Sequence, residues 1–357
     1  MTGNRPQRPQ QPNRPNRPSS ASSSNPELAP KPYEFVSFPK ERPNLQRPVG
    51  HDKYLSDRLH GTLHLTLKVQ TSLHVSTGVV VMGSDIGSRI PLIKTMIQGV
   101  DQKLSIGGSS LKGCIRSVYE AITNSTLAVV TSKYVKDNKY PTERLPCRNK
   151  EQLCPASRVF GALDWQGLLD FNDAKCESMG FSTGFMPSLY RPRPDESSAY
   201  FIQGRVAGRK FYYHTIRAID KGQNAGIPVQ QAAREYTFKT ELHFKNLLPE
   251  ELGTLLIVLG QDAKNPIALK VGGGKPIGMG TMTVTVEKIE QPQNLQQRYS
   301  SYHLNDSDEL TGDKLKKFIQ ENIQTADSSR LIQKPQLEEL TAVLRYPTDR
   351  EPPSGMY

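Results

Sequence analysis

The change of hydrophobic period between residues 60–82 and residues 107–122 constrains the fold more than any other feature. The run HGTLHLTLKVQTSLHVSTGVVVM (60–82) alternates apolar and polar residues with a turn-like stop near Gly78, the pattern of a half-buried strand pair. A sheet begins here. Further on, GGSSLKGCIRSVYEAI (107–122) places Leu111, Ile115, Val118, Tyr119 and Ile122 at helical spacing, with Ser109 or Ser110 as the expected N-cap. Residues 159–175, 199–218 and 234–246 read as further strands and turns, LPEELGTLLIVLG (248–260) as an amphipathic helix, and 271–289 as a glycine-rich loop running into an alternating strand. Strand, helix, several strands, helix, strand is the order of a ferredoxin-like α+β domain with insertions rather than of a parallel doubly wound sheet. Two more helices, near 308–324 and 335–345, close the chain.

The helix start at 107–110 has two readings. Lys112 and Arg116 lie one turn apart beside the free N–H groups and positive dipole end of the helix, which makes an anion site, and Gly107, Gly108 and Gly113 would admit a phosphate chain close to the backbone. The other reading is an ordinary capped helix with solvated cations.

Charge favours a polyanionic partner. The chain of 357 residues carries 46 Lys and Arg against 35 Asp and Glu, a formal net charge of +11. No apolar run approaches the ~18 residues of a membrane span, and no hydrophobic signal segment opens the sequence, so a cytoplasmic protein is expected. Residues 1–31, rich in Pro, Arg, Asn, Gln and Ser, read as a disordered basic tail. The expected division is that tail, a main domain over 52–290 with a basic, irregular insertion around 123–153, and a helical extension over 291–357.

A second glycine loop, GGGKPIGMG (272–280), is no nucleotide-binding motif. Pro276 follows Lys275 where a Walker loop needs Ser or Thr, and the element that follows is a strand. The spacing of its glycines also fails the dinucleotide pattern. A turn suited to lying along a sugar-phosphate backbone, or a simple hairpin connection, remains.

Taken in order, GSSLKG with Arg116 behind it, CPASRVFG (154–161), GRKFYYH (208–214) and the late GGGKPIGMG loop resemble the RAMP superfamily of CRISPR effector subunits, and within it the type III backbone subunits. The resemblance spans roughly residues 58–290. It implies an RNA-recognition-like sheet whose loops grip a guide RNA, with a thumb-type hairpin that kinks the guide–target duplex. Its implied partners are the CRISPR guide RNA, complementary target RNA, other RAMP subunits and the large effector subunit, with no membrane. Ser109, Ser110, Lys112 and Arg116 are then expected to hold guide phosphates, Gly273, Gly274 and Lys275 to pass beneath the strand, and Arg205, Arg209, Lys210 and His214 to supply basic contacts among aromatics, of which half are core if the segment is a strand.

Backbone subunits of this kind often cut target RNA with a loop aspartate and the target's own 2′-hydroxyl as nucleophile. The corresponding loop is 82–106, where Asp85 is the first candidate and Asp101 the second, with Arg89 and Lys94 as target-phosphate contacts and Mg2+ as a divalent cofactor for cleavage. The alternatives are a non-catalytic capping or guide-handle-binding RAMP subunit, and a guide-processing endoribonuclease using His214, His64 or His74. Cys114, Cys147, Cys154 and Cys176 are either ligands of one structural zinc, as in some relatives, or four reduced thiols; their spacing is poor for a zinc knuckle.

Overall fold

The computed structural model describes residues 32–187, 200–219, 226–292, 300 and 309–353; the tail expected over 1–31 lies outside them. The central sheet is built from β1 (Leu59–Val69), the split strand β2 (Leu169–Phe171 and Ala174–Cys176), β3 (Thr237–Leu247) and β4 (Thr281–Glu290). Their order is β4-β1-β3-β2 with every neighbour antiparallel. With α1 (Gly108–Ile122) between β1 and β2 and α2 (Pro249–Val258) between β3 and β4, this is the expected ferredoxin-like plan. Alternation places Leu63, Leu65, Leu67 and Val69 of β1 in the core, where they meet Leu111, Ile115, Val118, Tyr119 and Ile122 of α1. Each such side chain contributes about 1.5–3 kcal/mol on burial.

Four expectations need correction. The alternating run at 60–82 is two strands in two sheets: Ser76–Met82 leaves the central sheet and pairs with Leu92–Met96, beside Gly226–Gln231 and Ser182–Pro187. Gly78 is no stop but a left-handed residue (φ +86°) inside that strand, where the register with Leu92–Met96 shifts. The stretch 82–106 is accordingly no single loop. Helix α2 is buried on nearly every face, because α3 (Gly312–Ser328) covers the side that would otherwise meet solvent.

The insertion and the termini are tied to the core through one buried polar hub. Glu120 of α1 accepts from Arg116 Nε at 2.8 Å and from Arg209 Nη1 at 2.9 Å, while Arg209 Nη2 donates to the carbonyls of Ser125 and Thr126. Arg144, buried within the insertion, donates to Asn124 Oδ1 and to the carbonyls of Pro39 and Glu41. Phe38 lies under both Arg144 and Arg209, at 5.8 Å from each. At its near end the strap Tyr33–Val36 pairs with Arg209–Tyr212, and Ser37 donates through N–H and Oγ to the Glu339 carboxylate of α4 (Lys334–Leu344) at 2.6 and 2.8 Å. The C-terminal helices are thus part of the domain wall.

Gly253 of α2 faces α3 so closely that a Cβ would overlap the Asn322 carbonyl and touch Ala326. Helix propensity favours Gly253→Ala by about 1 kcal/mol, but the clash costs about 1–3 kcal/mol. The expected result in denaturant unfolding is a lowered midpoint; a raised midpoint would show that the two helices yield freely.

Candidate nucleic-acid interface

Helix α1 starts at Gly108 with Gly107 as N-cap, ahead of the start that Ser109 or Ser110 would set. Gly108 is required because its Cα abuts β2, where a Cβ would overlap the Phe171 carbonyl, and its N–H donates to Asp173 Oδ1 at 2.7 Å. A carboxylate of the chain therefore already sits at the positive helix end. Ser109, Ser110, Gly113 and Ser117 form the exposed stripe of the helix, and the space beside Gly113 is open.

The two cations expected to grip phosphate are turned inward. Lys112 Nζ donates to the Leu169 carbonyl at 3.2 Å, and burial, helped by the nearby Arg116, lowers its pKa. Arg116 donates to Glu120, to the Gly161 carbonyl at 2.9 Å and to Ser157 Oγ at 3.3 Å. Arg209 is held in the same hub, where burial lowers its pKa and also raises that of Glu120 against the pull of Arg209 and Arg116. Both cations brace the fold.

The glycine loop lies beside α1. Gly272, Gly274, Gly278 and Gly280 all take left-handed φ values, Gly273 N–H donates to the His74 carbonyl at 2.9 Å, and a short 3-10 turn, Lys275–Ile277, crosses the loop. Cys114 of α1 bonds the Lys270 carbonyl at 3.4 Å and feels the charge of Lys275, so the base of the loop packs against the first turns of α1. Gly273 is exposed, Gly274 and Lys275 half-buried. Lys270, which sequence reasoning missed, is buried under the loop with Nζ on the Gly278 carbonyl (3.1 Å) and Thr281 Oγ1 (3.2 Å); burial and Lys275 lower its pKa to about 7.

Other expected residues scatter. Arg205 is exposed on the hairpin Phe201–Ile202/Arg205–Val206, while Lys210 Nζ is enclosed by the rings of Tyr33, Tyr200 and Tyr212 at 4.8, 5.6 and 4.9 Å. His214 is a core residue: its ring nitrogens meet Thr281 Oγ1 and the Ala268 carbonyl, each at 3.0 Å. That placement contradicts its expected role at the RNA or as an acid–base. His74 is buried with Nδ1 on the Gln230 carbonyl at 2.7 Å, and His64 is paired with Glu290 at 2.8 Å. The open sheet face carries Thr62, His64, Glu241 and His243, so the aromatic pairs on which RNA-recognition sheets stack bases are absent there.

Asp85 is exposed in the 3-10 turn Gly83–Ile86, its Oδ1 3.4 Å from Ser84 Oγ. Asp101, also exposed, accepts the Lys103 N–H at 3.2 Å and so closes a turn. Arg89 is exposed and Lys94 half-buried on Leu92–Met96. Among the described residues no three His, Cys, Asp or Glu side chains gather as a metal site. Asp85 offers a single carboxylate, which does not by itself make a site for Mg2+. Of the cysteines only Cys147 and Cys154 adjoin: Cys114 is on α1 and Cys176 on β2 opposite Phe238, so the four do not form one tetrahedral set.

Burial, with the charge of Lys270, lowers the His214 pKa to about 3 from 6.5. The unfolded chain therefore binds a proton that the folded one refuses, and stability falls as pH drops from about 6.5 toward 3. In His214→Gln that loss is removed, so the gap in unfolding midpoint between wild type and variant narrows from pH 7 to pH 5. Parallel curves would mean that His214 is protonated in the fold.

No curated protein matches the chain. Among solved structures, one that matches is a chain of "Cryo-EM structure of the Type III-B Cmr-beta bound to cognate target RNA", with 15% identity and a TM-score of 0.36, covering 65% of this chain and 61% of that one. No described helix is long and apolar enough to cross a membrane. The sequence model of the RAMP superfamily matches residues 66–283, from within β1 through α1, the hub and the glycine loop into β4, and on that match over more than half its length the chain belongs to the RAMP superfamily.

Proposed function

We propose that the chain is a guide-RNA-binding subunit of a type III CRISPR effector complex. The observation that carries the reading is the exposed α1 stripe, Ser109, Ser110, Gly113 and Ser117, on the helix against which the base of the Gly273–Lys275 loop packs, within a chain of the RAMP superfamily. Small side chains let a phosphate backbone approach the helix closely, and the serine hydroxyls and the Lys275 ammonium supply donors. Because Lys112 and Arg116 are spent inside, contact depends on surface shape and on the loop lysine. The partners on this reading are guide RNA, complementary target RNA and neighbouring effector subunits.

Target cleavage is the finer part of the proposal. Asp85, solvated and free of ion pairs among the described residues, takes the proton of a target 2′-hydroxyl; the hydroxyl oxygen attacks the adjacent phosphorus, the P–O5′ bond breaks, and the 5′-oxygen leaves with a proton from water. No step is assigned to a metal.

Two measurements test these points. Lys275→Ala should weaken binding of a single-stranded guide RNA and lower the slope of log affinity against log salt by about 0.7, whereas Lys112→Ala should leave that slope unchanged. The reverse pattern would return the phosphate site to Lys112. In the assembled complex, Asp85→Asn should abolish one cut of a labelled complementary RNA at unaltered binding; an unchanged cleavage ladder would make the subunit a scaffold.

A further inference from the structure

Cys147 ends the segment that Arg144 anchors, and Cys154 leads into the helix Pro155–Phe160. Cys154 N–H donates to Cys147 Sγ at 3.4 Å, and one hydroxyl, Thr126 Oγ1, lies 3.5 Å from the first sulfur and 3.3 Å from the second. Cys154 is fully buried, whereas Cys147 is half-buried. Between them Leu153 exchanges both backbone hydrogen bonds with Gln46, on the continuation of the strap beyond Val36, at 3.0 and 2.9 Å. Cys114 and Cys176 share no such contact with another cysteine among the described residues.

We propose that Cys147 and Cys154 are a reversible dithiol–disulfide pair, oxidised by a peroxide, whose bond fastens the basic insertion to the loop that holds the N-terminal strap. The Cys154 sulfur attacks a peroxide oxygen; the O–O bond breaks, water leaves, and a sulfenic acid forms. The Cys147 sulfur, the one nearer solvent, then attacks the Cys154 sulfur, the S–S bond forms, the S–O bond breaks, and the hydroxyl leaves as a second water with the remaining thiol proton. Two thiols lose two electrons and the peroxide becomes two waters. The surroundings suit that order: burial opposes ionisation of Cys154, but hydrogen bonds with Cys147, Ser157 and Thr126 hold its thiol well below the ordinary value, whereas the hydrogen bond to Cys154 and burial hold the Cys147 thiol well above it, and the thiolate is the nucleophile. The bond closes a short loop, so it restrains the unfolded chain while the strap stays paired to Leu153.

The test treats the reduced full-length protein with hydrogen peroxide, then maps peptides without reduction and records thermal unfolding. The expected result is a cross-link joining the peptides that contain Cys147 and Cys154, a raised melting temperature, and reversal of both by dithiothreitol. Cys147→Ser should abolish link and shift, and Cys114→Ser/Cys176→Ser should keep both, which guards against a misfolded single variant. A cross-link between other cysteines would overturn the proposal. So would persistence of free thiols at 147 and 154, or a zinc ion retained on the two thiols after chelator dialysis.

Discussion

One carboxylate organises this molecule. Glu120 lies buried between Arg116 and Arg209, and through those two guanidiniums it joins α1 to the Gly161 carbonyl, to the strand Arg209–Tyr212 and to the carbonyls that open the insertion. Breaking such a buried pair from one side costs about 3–5 kcal/mol, because a charge is left without a partner. Arg144 extends the hub to the strap, and the stacked Phe38 ring shields it from water. The C-terminal half of α1 is thereby fixed on several sides, while its first turns keep an open face.

That division explains why the interface is built from small residues. Each long basic side chain in the first three turns of α1 finds a carbonyl or carboxylate of the chain itself, so what faces outward is Ser109, Ser110, Gly113 and Ser117. The adjoining loop depends on left-handed glycines to fold back over His74 and Lys270, and it leaves Lys275 beside α1. Positive charge reaches the surface here through one flexible lysine on a rigid floor. The open sheet face, with His64, His243, Glu241 and Glu290 paired among themselves, offers no comparable platform.

Much of the plan was legible in the sequence because it is periodic. The 3.6-residue repeat of α1, the twofold alternation of β1 and β3 and their order along the chain required only local counting. What local counting could not reach was the partner of each polar group. Arg209 is 89 residues from Glu120, and nothing near GRKFYYH separates a phosphate-binding arginine from one that caps a buried carboxylate. The same holds for His214, whose two hydrogen-bond partners lie on later elements, and for Asp173, which takes the N–H that was expected to await a ligand. Gly108 was legible as special, but its reason is close approach to β2 rather than to a ligand. The split of 60–82 into two sheets was hidden because alternation reports burial on one face without saying which sheet supplies it.

The most direct test of the central claim is ultraviolet cross-linking of a single-stranded guide RNA to the full-length protein, with mass mapping of the adducts. The account expects adducts on the segments 107–117 and 272–280 together. Adducts confined to the open sheet face around His64 and His243, with both of those segments unmodified, would contradict it.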